Sequence, residues 1–328
     1  MVVDGLNYSS TLGAFSGILS GEHHADFASR RLTEVFSSAK EILFDDTSRL
    51  VFFSDCHRGN DDCADTFAKN ERTFLEALAY YYRRGFSYFE VGDGDELWQN
   101  RRFADVRDAH RPVFDLLHRF NQQGRLHLLV GNHDIQGSRD RQVEKDGIPA
   151  RESLILRHRR SGQRIFVFHG HQADFKSDRL YWFSRLVVRH VWRPLLGLGL
   201  HRIAKHGATI RQQISEEAHA CVQWFKSQQA NLHDLINSRS QSQVEQKIIA
   251  WLEGNRYVTI CGHTHRAMTS DYGELPYFNT GSCTMTGYIT GLEIQGGEIR
   301  LVKWLTRTDG RRSERRVLSP ARKLALLA

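Results

Sequence analysis

The stretch "RLVFFSDCHRGNDD", residues 49–62, runs from an apolar block straight into an acid and an imidazole. Leu50 to Phe53 carry no polar alternation, which suits a strand buried on both faces. Asp55 and His57 are two residues apart, and in an extended chain that spacing points both side chains to one side. The same event recurs along the chain. "SYFEV" (87–91) leads into "GDGDELW", "RLHLLV" (125–130) into "GNHD", "RIFVF" (164–168) into "HGH" and "YVTI" (257–260) into "CGHTH". Between the early runs, residues 66–83 and 105–122 carry apolar side chains at helical spacing. Strand followed by helix, repeated, argues an α/β fold, in which ligands collect outside the carboxyl ends of the strands.

The gross numbers are those of an ordinary globular protein: 328 residues, 40% hydrophobic and 25% charged. No apolar run approaches the ~20 residues that span a bilayer. The N-terminus lacks a basic segment followed by an apolar one, so no export signal is expected. Five scattered cysteines without a CxxC pair argue against a disulfide framework or a zinc knuckle, and point to a reducing cytoplasm. Cys56 and Cys261 read as small buried hydrophobes. The net charge of +7 fits an anionic substrate, nucleic acid or an acidic membrane surface without choosing among them. Much of it lies in the basic segment 306–328, read as a solvated end.

Residues 24–43 have the pattern of an amphipathic helix ahead of the first strand, and residues 172–254 that of a helical insertion. After the last histidine cluster, alternating residues and many glycines argue β-hairpins. Collected at the strand ends are Asp55, His57, Asp93, Asn132, His169, His263 and His265. These seven N/O donors are too many for one tetrahedral zinc but suit two ions of higher coordination that share a carboxylate. Two such ions clamp a phosphoryl group and lower the pKa of a bound water.

In these motifs the chain resembles the calcineurin-like metallophosphoesterase superfamily. The D-x-H, G-D-x-x-D/E, G-N-H-D/E, lone H and G-H-x-H motifs of that family appear in order. They are Asp55-Cys56-His57, Gly92-Asp93-Gly94-Asp95-Glu96, Gly131-Asn132-His133-Asp134, His169-Gly170-His171 and Gly262-His263-Thr264-His265. The resemblance spans residues 49 to 285 and implies one domain over 1–328, with its core at about 44–305. It implies two packed mixed β-sheets flanked by helices, with a helical cap from 172–254. It further implies that Asp55, His57, Asp93 and His265 hold one divalent ion, and that Asp93, Asn132, His169 and His263 hold the other. Manganese, iron, zinc and cobalt all suit such donors. His133 would be the general acid, oriented by Asp134.

The nearest branch by resemblance is UDP-2,3-diacylglucosamine hydrolase, which cleaves a diphosphate beneath a lid. Two positions depart from it: that branch has arginine where this chain has His133, and aspartate where it has His171. The expected activity is a phosphohydrolase for a monoester or diphosphate, acting on a lipid-linked substrate as in that branch or, as in a sister group, on another phosphorylated substrate. The alternative is a phosphodiesterase acting on nucleic acid or a cyclic nucleotide. A non-catalytic scaffold is a third class, disfavoured because no ligand or general acid is missing. His171 is a candidate for the metal shell, the substrate or structural support behind the ligands; Glu96, Arg101 and Arg102 are candidates for phosphate or for surface ion pairs. Within the insertion, Arg185, Arg189 and Arg193 fall at i, i+4 and i+8, one basic stripe of a helix whose like charges repel unless an anion relieves them. With Trp182 and Trp192 nearby, the stripe suits a lid at the inner face of an anionic membrane.

Overall fold

The computed structural model describes residues 21–62, 64–100, 102–134, 143–174, 243–269, 275–307 and 312–327. Most of the expected cap lies outside them, including Arg185, Arg189 and Arg193, as do Cys63, Arg101 and Cys221.

Two mixed sheets pack face to face. The larger is built on three parallel strands, β2 (Arg49–Phe53), β3 (Ser87–Val91) and β4 (Leu126–Leu129). Beyond β4 it continues through β6 (Ile148–Arg151) to β5 (Val143–Lys145). On its other side β12 (Tyr288–Gln295), β13 (Glu298–Leu305) and β14 (Glu314–Val317) follow in antiparallel register, and β15 (Arg322–Lys323) also pairs with β13. The smaller sheet runs β1 (Lys40–Phe44), β7 (Ser153–His158), β8 (Arg164–Phe168), β9 (Val258–Cys261), β11 (Tyr277–Asn279), β10 (Met268–Thr269).

Strand alternation explains the unbroken apolar runs. Leu50 and Phe52 turn inward, sharing a core with Leu154, Leu156, Ile165, Val167 and Ile260 of the smaller sheet. Val51 and Phe53 turn outward onto α2 (Glu71–Arg83) and α4 (Arg111–Gln122), where they share a core with Phe74, Leu78, Val113 and Leu117. On the outer face of the smaller sheet, Ile155, Phe166 and Phe168 share one with Leu32 and Val35 of α1 (Gly21–Ser37) and with Ile248 and Leu252 of α5 (243–255). With both faces covered, residues of the central strands gain by being apolar, at ~1.5–3 kcal/mol per large side chain buried.

Three expectations change. The pattern at 24–43 divides: the helix ends at Ser37 and Lys40–Phe44 is a strand, because a parallel partner at Leu154–His158 takes up its backbone groups. The helix expected over 105–122 breaks at His110 into α3 (Phe103–Ala109) and α4. Pro112 lacks an N–H and would clash with the carbonyl four residues back in a continuous helix, so it starts a new one. The basic end is not free either. Arg315 reaches buried Glu293, with Nε 2.7 Å from Oε1, and Leu324 and Leu327 enter the core between the sheets. No helix among the described residues is long and apolar enough to cross a membrane.

Candidate metal centre

The loops that follow β2, β3, β4, β8 and β9 meet at one edge of the two sheets and are tied by backbone hydrogen bonds. Asp55 N donates to Gly92 O at 3.1 Å, His57 N to Asp93 O at 2.9 Å and Gly262 N to His169 O at 2.8 Å. Asp55 and His57 are not extended, as the i, i+2 reading assumed. β2 ends at Phe53, and both residues take left-handed backbone angles, φ 52° and 49°. Asp93, His263 and His265 do the same at 50°, 67° and 56°. At about 1 kcal/mol or more each, five such residues cost ~5 kcal/mol, comparable to the net stability of many domains. Five predicted ligands thus share a conformation that only compensating interactions sustain.

The side chains converge. Three overlapping donor groups form: Asp55 with His57 and His265; His57 with Asp93 and His133; and Asp93 with His169 and His263. Within each, the donor atoms lie within 4.8 Å of one another. His265 Nε2 is 3.1 Å from Asp55 Oδ1, His169 Nε2 is 3.1 Å from Asp93 Oδ2, and His57 Nε2 is 3.7 Å from Asp93 Oδ2. His169 Nδ1 donates to Val91 O at 2.8 Å, which leaves Nε2 as the free lone pair facing the carboxylates. Gly92 (φ 80°) permits that ring, since a β-carbon there would sit 2.5 Å from it.

Three atoms fit a cation. Asp55 Oδ1, Asn132 Oδ1 and His169 Nε2 are buried without a hydrogen bond of good geometry. Leaving such atoms unsatisfied costs ~1–3 kcal/mol each, and cation coordination would satisfy each of them. Charge points the same way. Burial should raise the carboxyl of Asp55, yet His265 and His169 hold it at about 2. Burial likewise opposes ionisation of Asp93, but His169, His133 and His57 hold it well below the usual range. Burial disfavours charge on His57 and His169, but Glu96 beside the first, and Asp93 and Asp55 beside both, raise each to about 9. His263, with burial and the His169 charge both acting against it, falls to about 4. His57 and His169 must shed protons to become ligands, whereas His263 is already neutral, so a metal would compete with protons at the first two.

His133 stands beside the donors. Its backbone N donates to Asp93 Oδ1 at 2.8 Å, and its ring stacks on Trp98 with centroids 3.9 Å apart. Its partner is not Asp134. Glu96 lies at 2.9 and 3.0 Å from His133 Nδ1, and the same carboxylate is 3.1 Å from His57 Nδ1. Asp134 instead accepts from Gly131 N at 2.8 Å and Asp95 N at 2.9 Å, and pairs with Lys145. The sequence carried a signal for Glu96 in its place three residues after Asp93, but the resemblance pointed to Asp134 for this role. His171 is buried next to the third donor group, its ring centroid 5.5 Å from that of His169, with Nδ1 unsatisfied. Burial, then the charges of His169 and His263, keep it neutral. Arg102 points to solvent near Asp105. Cys56 and Cys261 are fully buried, as expected, and Cys283 joins them.

Comparison with family models gives no match, and neither does comparison with curated proteins. Solved structures similar to this chain include Vps29 from Cryptosporidium parvum, 9% identical over 83% of this chain and 98% of that one, with a TM-score of 0.38. Wild-type Vps29 from Entamoeba histolytica, complexed with zinc, is 14% identical over 83% and 99% of the two chains at 0.36. A mutant cold-active protein tyrosine phosphatase is 14% identical over 85% and 82% at 0.40. The likeness is one of general shape, and the chemistry of the site rests on the residues that build it.

Proposed function

We propose that the chain is a dinuclear, metal-dependent phosphohydrolase of the calcineurin-like metallophosphoesterase kind. The observation that carries this reading is the meeting of three overlapping donor groups, among which Asp55 Oδ1 and His169 Nε2 lie 4.0 Å apart, both buried without a hydrogen bond of good geometry. Asp55, His57, Asp93 and His265 would hold one ion, and Asp93, Asn132, His169 and His263 the other. When bound, such ions neutralise phosphoryl charge and make water nucleophilic at neutral pH. His133 would then serve the leaving group: Glu96 accepts a hydrogen bond from Nδ1–H, which fixes the ring's orientation and leaves Nε2 to hand a proton to the departing oxygen. Stacking on Trp98 limits rotation of the ring while that proton moves.

The finer reading is a monoester or diphosphate substrate linked to a lipid, similar to that of UDP-2,3-diacylglucosamine diphosphatase, met at the inner face of an anionic membrane. Its support is the stripe of Arg185, Arg189 and Arg193. Changing the three to glutamine is expected to weaken binding to anionic liposomes and to raise KM for a lipid diphosphate but not for a small chromogenic phosphoester. The phosphodiesterase alternative drew on the basic end, part of which pairs with β13 as β14 and β15. Diesters therefore enter the panel as the competing arm. Elemental analysis of active protein should give two divalent ions per chain, with phosphate released from monoesters or diphosphates. One ion or none, or cleavage of diesters alone, would defeat the reading.

A further inference from the structure

Beneath the metal-binding loops lies a buried cluster of two cations and three carboxylates. Arg58 forks onto Glu90 at 2.7 and 2.8 Å and places Nε 2.8 Å from Asp95. Lys145 Nζ lies 2.5 Å from Asp134, 2.9 Å from Asp95 and 3.7 Å from Glu90. All five side chains are at most 4% exposed. Gly94 is required by the cluster, because a β-carbon there would run into Glu90 and Arg58. Burying five charges costs several kcal/mol each before pairing, and well-packed apolar residues often stabilise a fold as well. Stability alone is a poor reason for such a cluster.

Its membership suggests another. Arg58 follows His57, Asp95 lies two residues after Asp93, and Asp134 lies two after Asn132 and next to His133. Glu90 is in β3, three residues before Asp93. Each carboxylate or guanidinium thus belongs to a loop or strand that delivers a donor, and the backbones of those loops are held through the same groups. Asp95 N and Gly131 N both donate to Asp134, and Arg58 N donates to Gly94 O at 3.0 Å. Lys145 alone comes from elsewhere, the β5–β6 hairpin at the edge of the sheet. Its ammonium reaches carboxylates of the Asp93 and Asn132 loops together.

We infer that Lys145 is a positioning residue for the metal centre: by neutralising Asp95 and Asp134 together it fixes the separation of the loops bearing Asp93, Asn132 and His133. The inference rests on the metal reading above. The test is calorimetric titration of Mn²⁺ into the metal-stripped full chain, with far-ultraviolet circular dichroism to establish folding. Wild type is expected to bind two ions. In Lys145→Met, which keeps the length of the side chain, the dissociation constant should rise by ~10–100-fold, the range for residues that orient metal ligands. Lys145→Arg, which keeps the charge within reach of the same carboxylates, should recover most of that loss. Folded Lys145→Met with wild-type affinity would overturn the inference. Should Lys145→Met fail to fold, Lys145→Arg decides alone: a loss under about threefold supports the inference, and a larger loss overturns it. A wild-type chain that binds no Mn²⁺ would defeat the metal reading itself, a result separable from both.

Discussion

At the residue scale, Glu96 joins two tasks, since one carboxylate holds both a candidate ligand, His57, and the candidate acid, His133. Replacing His133 with alanine should leave metal content nearly intact and lower turnover by ~10²–10⁴-fold on substrates with poor leaving groups, with a smaller loss on good ones. Equal losses on both substrate types would show that His133 does not protonate the leaving oxygen. Glu96→Gln keeps a hydrogen-bonding group but removes the charge, and should cost ~10–100-fold in activity or metal affinity. Asp93→Asn should be the most damaging single change to metal content, because Asp93 is the one residue the proposed assignment gives to both ions and its charge would be lost. The donors were legible in the sequence because each sits in a short motif at the end of an apolar run. Their backbone conformation was not, since nothing in "SDCH" announces that an aspartate and a histidine both enter the left-handed region. Lys145 was invisible because its partners are distant in sequence and only folding brings them together.

At the scale of elements, the loop after His57 is organised by Asp65, which accepts from the backbone N–H groups of Gly59, Asp61, Phe67 and Ala68 and pairs with His110 at the start of α4. Glu71, the first residue of α2, is 3.2 Å from the other nitrogen of that ring. Burial opposes charge on His110, but the neighbouring carboxylates of Asp65 and Glu71 prevail and raise it to about 9. A histidine raised on folding stabilises the fold fully below its unfolded pKa near 6.5, and that contribution fades as pH climbs through about 9. The thermal midpoint of wild type should therefore fall between pH 7 and 10 relative to that of His110→Gln. Parallel curves for the two would rule out the charged ring. Helix boundaries around this point were only partly readable. Apolar spacing runs on through 105–122, and the break depends on Pro112 and on the side-chain contacts of His110.

At the scale of the whole molecule, the order helix, sheet, sheet, helix followed from apolar runs too long and too uniform for a sheet wet on one face. The basic C-terminal segment misled because charge density resembles solvation, whereas here one arginine answers a buried acid. Arg315→Met should destabilise the fold by ~3 kcal/mol, since Glu293 would keep its burial and lose its counter-charge. Urea unfolding gives that difference directly, and a change below ~1 kcal/mol would mean that the Tyr81 hydroxyl suffices for Glu293.

Asp55 leaves the larger sheet and His265 follows a strand of the smaller one, and they are neighbours only at the shared edge. An ion gripped by both would make the molecule mechanically polar, riveted along one margin and free to splay along the other. Pulled from its two ends between optical traps, the metal-loaded chain should rupture at higher force than the chelated chain. Until the rivet fails, the length between residues 55 and 265 should stay out of the extension.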